Sequence, residues 1–239
     1  TSYIINNFKE KCHTIFSDIM NVFKYINDTF KDTPDLVERK IKYSFSCVHI
    51  YYIETICSSE QINNFVLKNL TNPNGPRRFK DILAGPNFKE IDLGRLEFYL
   101  YNGFTALVYK GKIYVIETKA SLDRSVSFPE MEQDLYGAKD ALLENYQKNI
   151  GLIKRRLKSS HLKTKEYKLG RFTQTSTGVL YVDNITDMSL VKRIDALLNK
   201  IDTDSVIDVG ELKQFLTMDK GNVFPPTKLT ERPDVIVKA

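Results

Sequence analysis

Cysteine and histidine are scarce, with three of each among 239 residues. Cys12, Cys47 and Cys57 are odd in number and widely spaced. That excludes a disulfide framework and suits small buried hydrophobes in a reducing compartment. His13, His49 and His161 lie far apart, and none has a second ligand at a spacing used by zinc or haem sites. We expect no metal and no cofactor. Long apolar runs are also missing. A membrane-spanning helix needs about 20 mostly apolar residues, and the best stretch, residues 104–116, is broken by Lys110, Gly111 and Lys112. The first residues show no basic region followed by an apolar block, the mark of a signal peptide. Neither phosphate-loop pattern, G-x-x-x-x-G-K-[ST] or G-x-G-x-x-G, is present, and a serine nucleophile elbow is absent. Cys12 and His13 are neighbours on a helical stretch, where adjacent side chains point apart. The sequence carries no enzymatic mechanism, and we expect no catalytic residues.

What is present is globular: 42% hydrophobic and 27% charged residues, too apolar for a disordered chain. At about 150 residues per domain, this length makes one or two domains with cores of their own. Thr1 and Ala239 as termini lead us to expect a segment of a longer protein. The net charge is +5, but unevenly placed. From Tyr146 to Arg171, nine bases stand against the single acid Glu166, so this window carries +8 and the remainder −3. A concentrated basic face suits phosphate, an acidic partner or an anionic membrane; it is equally a solvated helix face.

Along residues 3–31, Ile5, Phe8, Cys12, Ile15, Ile19, Val22 and Ile26 recur at spacings of three and four, the helical period. Phe16, Phe23 and Phe30 widen the stripe, so the helix should pack on a domain or a neighbouring subunit. Pro34 stops it. Residues 46–56 are β-branched and aromatic, a strand. Ser58-Ser59-Glu60 caps a helix to about residue 70. Short helices follow near 79–84 and 93–102, then a hairpin of 104–109 and 112–118 around Lys110-Gly111. Residues 121–129 connect to a helix over 130–157, and two strands, 162–169 and 172–183, flank Gly170-Arg171. Asp187 caps a helix to about 200, another runs over 206–216, and Phe224-Pro225-Pro226 opens an extended tail. Tyr52-Ile53-Glu54-Thr55-Ile56 and Tyr181-Val182-Asp183-Asn184-Ile185 each precede a helix, as in an internal repeat. The expected fold class is α/β of the α+β kind: an amphipathic helix (1–34), then two small lobes (35–128 and 129–239). Each lobe should be a mixed or antiparallel sheet with packed helices.

Three groups of residues invite chemistry. Glu117-Thr118-Lys119 ends a strand, as in metal-dependent nucleases where Glu binds the ion and Lys positions water; the second carboxylate would have to be Asp92. Asp202, Asp204 and Asp208 with Gly210 look like a calcium loop, but Val206 stands where a ligand belongs, which favours a plain loop with Asp208 as a helix cap. In the basic stretch, Ile150, Ile153 and Leu157 mark one helix face and Lys154, Arg155 and Lys158 the other. With Tyr167, Phe172 and Tyr181 as stacking platforms, it would suit nucleic acid; sheet alternation explains these aromatics as well.

A family resemblance emerges from ordered motifs in the second half. Asn149-Ile150-Gly151-Leu152-Ile153-Lys154-Arg155-Arg156-Leu157 resembles an N-I-x-L-I-[KR]-R-R-[IL] helix. Leu169-Gly170-Arg171-Phe172-Thr173-Gln174-Thr175 is similar to a G-R-x-T-x-T hairpin. Ile201 to Leu212 is similar to I-D-x-D-x-I-x-D-x-G-x-L, with Val206 in place of the second Ile, and Phe224-Pro225 with Thr230-Glu231-Arg232-Pro233-Asp234 resembles F-P…T-E-R-P-D. Arg124-Ser125-Val126, Pro129-Glu130 and Glu132 add to the set. These are motifs of the A subunit of spore nutrient-germinant receptors, the GerA type of endospore-forming bacteria. The chain departs from them where Gly137-Ala138-Lys139-Asp140-Ala141-Leu142 replaces G-P-[RK]-x-G-F, and in Arg124-Ser125-Val126-Ser127-Phe128-Pro129.

The resemblance implies the large N-terminal soluble region of a receptor in the spore inner membrane, facing the spore core. Its implied partners are a transporter-like B subunit, a lipoprotein C subunit and other A subunits; a small nutrient ligand between the lobes is a further candidate. The implied role is non-enzymatic signalling and assembly that couples nutrient detection to ion release, with no nucleic acid bound. Arg155, Arg156 and Arg171 become candidates to bridge acids of a neighbouring lobe or subunit, or phosphate headgroups. Glu231, Arg232 and Pro233 would fix the approach to the membrane. Arg124, Ser125, Glu130 and Glu132 would form the connection between lobes. A nucleic-acid module and a Glu117/Lys119 nuclease stay as the alternatives.

Overall fold

The computed structural model describes residues 17–44, 46–72, 79–82, 87–121, 140–216 and 227–238, without the side chains of Lys80 and Ile82. The chain divides into two units, residues 1–124 with 158–160, and residues 125–157 with 161–239.

The first unit is built on a sheet buried on both faces. Helix α1 covers residues 17–29. Its stripe of Val22, Ile26 and Phe30 is buried, and the Phe30 ring stacks on Tyr101 at 5.9 Å. The chain then turns through Asp32 at φ +61, ahead of Pro34. Strands β1 (Leu36–Tyr43), β2 (Ser46–Ile53), β3 (Lys89–Ile91), β4 (Phe104–Tyr109) and β5 (Lys112–Glu117) form one sheet. The order is β1-β2-β4-β5-β3, with every pair antiparallel. Alternation along β2 sends Tyr51 and Ile53 into one core with α1, and Val48, Ile50 and Tyr52 into another. The second core is closed by helix α2, residues 59–71 with a π turn at Asn63–Leu67, and by Phe79 of the short helix α3 (Phe79–Ile82). Ser58 caps α2 as expected, its Oγ accepting from Gln61 N at 3.4 Å. Helix α4 (Leu96–Tyr101) follows a 3-10 turn at Leu93–Arg95 and seals the first core. The β4–β5 turn puts Lys110 at φ +49 and Gly111 at φ +78, the left-handed pair a two-residue hairpin needs.

Two strands differ from the sequence expectation. β1 has Val37, Ile41 and Tyr43 packed on the second core, but Glu38, Arg39, Lys40 and Lys42 crowd its exposed positions and hide the period. Such charge is what an edge strand carries to resist pairing with another chain. β3 is three residues long, too short to show a period.

The second unit pairs β6 (Leu162–Leu169) with β7 (Thr175–Val182), antiparallel, and adds helices α5 (Tyr146–Arg156), α6 (Met188–Leu198), α7 (Val209–Leu216) and α8 (Pro233–Lys238). Asp187 and Asp208 cap α6 and α7, their Oδ1 atoms accepting from Ser189 N and Glu211 N at 2.8 Å. Of the helix expected over 130–157, residues 130–139 lie outside the described residues, 140–145 are irregular, and α5 starts after Asn145, whose Oδ1 accepts from Lys148 N at 2.9 Å. Asn149 holds that irregular stretch in place, bonded to Leu143 N at 2.7 Å and to Leu143 O at 2.5 Å. Residues 172–174 belong to the β6–β7 turn rather than to a strand. Of the expected extended tail, Phe224-Pro225-Pro226 lie outside the described residues and 227–232 carry no helix or strand, but residues 233–238 are helical with Pro233 opening the first turn, where its missing N–H costs nothing. The proposed repeat corresponds to two strand–turn–capped-helix units, one in a five-stranded sheet and one in a two-stranded sheet.

Candidate functional site

The second unit holds most of the motif residues, and folding gathers them into two locks. The first joins the β6–β7 turn to the loop before α7. Gly170 at φ +84 and Gln174 at φ +50 give the turn its shape. Arg171 N and Phe172 N donate to Thr203 O and Asp204 O, both at 2.9 Å, and Val206 N donates to Thr173 Oγ1 at 3.1 Å. Thr175 Oγ1 donates back to Val206 O at 2.5 Å. The Arg171 guanidinium forks onto Asp202, with Nη2 at 2.7 and 2.8 Å from its two oxygens, and lies 3.6 Å from Asp204. The G-R-x-T-x-T and I-D-x-D motifs, about thirty residues apart in sequence, are therefore one structural device. Asp202 is bound by Arg171 and Asp208 caps α7, whereas Asp204 lies 3.6 Å from Arg171 with 68% of its side chain accessible.

The second lock seats the Thr230-Glu231-Arg232-Pro233-Asp234 segment. Helix α8 packs on α5. Leu142 N donates to Glu231 O at 2.7 Å. Arg232 forks onto Asp234 at 2.8 and 3.1 Å, with only 11% and 15% of these side chains accessible. The Arg232 bonds hold the Asp234 carboxyl below its ordinary pKa of 3.8. Pro233 is buried. Against this layer α5 buries five successive residues, Ile150 to Lys154, so Lys154 is not on an exposed polar face as the spacing suggested.

Folding also changes the meaning of the +8 window. Arg156 forks onto Asp140, Lys163 lies 3.8 Å from Asp183, Lys165 lies 3.8 Å from Asp195, and Arg171 meets Asp202 and Asp204. All five acids lie outside the window, and all lie in the same unit. Asp195 also accepts from Tyr167 Oη at 2.5 Å, and this bond lowers its pKa. Sequence reading missed Asp140 and Asp195 as partners, since no local spacing announces a contact made through the fold. Of the expected aromatic platforms, Tyr167 is tied to Asp195, while Phe172 sits at the turn and is 82% exposed. Arg155 is half-buried on α5. Arg124, Ser125, Glu130 and Glu132 lie outside the described residues.

The two carboxylates of the nuclease reading, Glu117 and Asp92, are not brought together. Ile91 pairs with Ile113, so Asp92 lies beside the start of β5 while Glu117 ends it. Five residues at ~3.4 Å each put them about 17 Å apart along the strand. Glu117 instead accepts from Asn87 Nδ2. Among the described residues no group of three His, Cys, Asp or Glu is placed to hold a metal ion, and no helix is long and apolar enough to cross a membrane.

The fold and the two locks define a small two-unit α+β module with interaction surfaces as its candidate functional features. The family model described as Bacillus/Clostridium GerA spore germination protein matches residues 24–239, and the chain belongs to that family. It is 25% identical over 199 residues to spore germination protein XA of Bacillus anthracis, covering 79% of this chain and 40% of that protein. It is 26% identical over 239 residues to spore germination protein A1 of Bacillus subtilis (strain 168), covering 97% of this chain and 48% of that protein. The chain thus spans less than half the length of these relatives, neither of which is named as an enzyme. The crystal structure of the N-terminal domain of the A subunit of the Bacillus megaterium spore germinant receptor GerK3 has the same fold, with a TM-score of 0.66 and 24% identity over 90% of this chain and 84% of that one.

Proposed function

We propose that this chain is the N-terminal region of a germinant-receptor A subunit and acts as a non-enzymatic assembly and signalling domain. It would work at the spore inner membrane, on the core side, with B and C subunits and further A subunits, and relay detection of a nutrient toward ion release. The observation that carries this reading is the seating of α8. Glu231 O, just ahead of the helix, accepts from Leu142 N, the Pro233 ring is buried and α8 packs on α5, while Arg232 braces the segment itself through Asp234. A movement of α5 would therefore be passed on by rigid contact. The greater length of the relatives supports a further region beyond this helix, on which such a movement would act.

The test is Arg232→Ala in the full-length receptor. With receptor level read by immunoblot, nutrient-triggered germination per receptor should fall about tenfold. Spores that germinate normally with this variant would overturn the proposal.

A further inference from the structure

The lock between the β6–β7 turn and the loop before α7 presents apolar side chains to solvent. Phe172 is 82% exposed, Ile207 76% and Val209 57%. These are not loose ends. Phe172 N is bonded to Asp204 O, its neighbour Arg171 is forked onto Asp202, and Ile207 N donates to Glu211 Oε2 at 2.8 Å. An aromatic side chain displayed on an ordered backbone loses little entropy on docking, which is the character of an interface anchor.

Charge says what would cover it. Residues 202–211 contain four acids, Asp202, Asp204, Asp208 and Glu211, and no base. Arg171 answers Asp202 and lies beside Asp204, while Lys200 and Lys213 stand just outside the loop. Asp204 keeps 68% of its side chain accessible. An anionic bilayer would be repelled by this rim. A protein surface with an apolar patch flanked by lysine or arginine would fill the Phe172 side and pair with Asp204 at once.

We infer that the Phe172–Ile207–Val209 loop pair is a docking site for a basic, apolar-centred protein segment. The inference stands apart from the role given to α8, so failure of either leaves the other intact.

The test uses the full-length receptor in its native membrane with Phe172→p-benzoylphenylalanine, irradiated and digested. The cross-linked peptide, read by tandem mass spectrometry, should carry an apolar residue close to a lysine or arginine. Adding Asp204→Lys should cut the adduct about tenfold. Asp204→Asn should cut it less, and it serves as the control if the lysine variant loses protection of the β6–β7 amides. A lipid adduct, an adduct on a peptide without a base, no adduct, or a yield indifferent to residue 204 would each overturn the inference.

Discussion

Gly170 is a residue whose replacement has a clear cost. Its φ of +84 is left-handed, and an added Cβ would lie 2.3 Å from Thr173 Oγ1 and 3.0 Å from Val206 N. The conformation alone costs an L-residue about 1–2 kcal/mol, and the Thr173 contact can be relieved only by breaking its bond to Val206. Gly170→Ala should lower the melting temperature by about 4–8 °C, and calorimetry checks it. Cys57 makes a prediction about pH. Burial pushes its thiol up to about 11, from an ordinary 9.0. The folded chain thus holds a proton that the unfolded chain gives up, so this group's contribution to stability falls as pH rises from about 9 to about 11. Urea melts at pH 8 and pH 10.5 should show a smaller difference in Cys57→Ala than in wild type; equal differences would contradict the assignment. At this scale the caps were legible, since Ser58, Asp187 and Asp208 act on residues two or three positions away. Arg156 was expected to reach a neighbouring lobe, a subunit or a headgroup; within its own unit it forks onto Asp140, a contact that only α5 and an irregular turn bring about.

Among the elements, those announced by apolar runs around a turn were read correctly and those shaped by their surroundings were not. β4 and β5 each bury four successive residues around an obvious turn. β1 is masked by the charges an edge requires, and α5 by the layer that covers it, which turns a two-faced pattern into a helix buried at five successive positions. α8 follows an apparent breaker, yet proline is at home in a first turn. The pairing of Arg232, just before α8, with Asp234 in its first turn gives this scale its prediction. Asp234 is held as a carboxylate by Arg232, so the pair adds stability above pH 3.8, and that stability is lost as pH falls through the lower folded value. Arg232→Ala leaves a largely buried carboxylate without this guanidinium and should cost about 1–3 kcal/mol at pH 7. The gap from wild type should narrow as pH falls below 3.8, as followed by denaturant melts. A gap that stays constant to pH 2 would mean that Arg232 acts through packing alone.

For the whole molecule, the sequence showed two lobes of α+β kind and a positive window, but not how unequal the cores are or how the charge is answered. Folding sets five acids from elsewhere in the second unit against the window, so a charge count along the chain overstates the basic face. Among the described residues, twenty-five buried apolar side chains fall in the first unit and nine in the second. Burial is the main favourable term in folding, and the second unit relies more on hydrogen-bonded loops and ion pairs, which contribute less each when exposed. The units should therefore open at different free energies. In native-state hydrogen exchange, the amides of β6 and β7 should lose protection at lower denaturant than those of β2, β4 and β5. Salt at about 0.5 M should widen that difference by screening the exposed pairs, Arg171 with Asp202 foremost. Simultaneous loss of protection in both sheets would instead mean that the two cores unfold as one cooperative unit, despite their separate contacts.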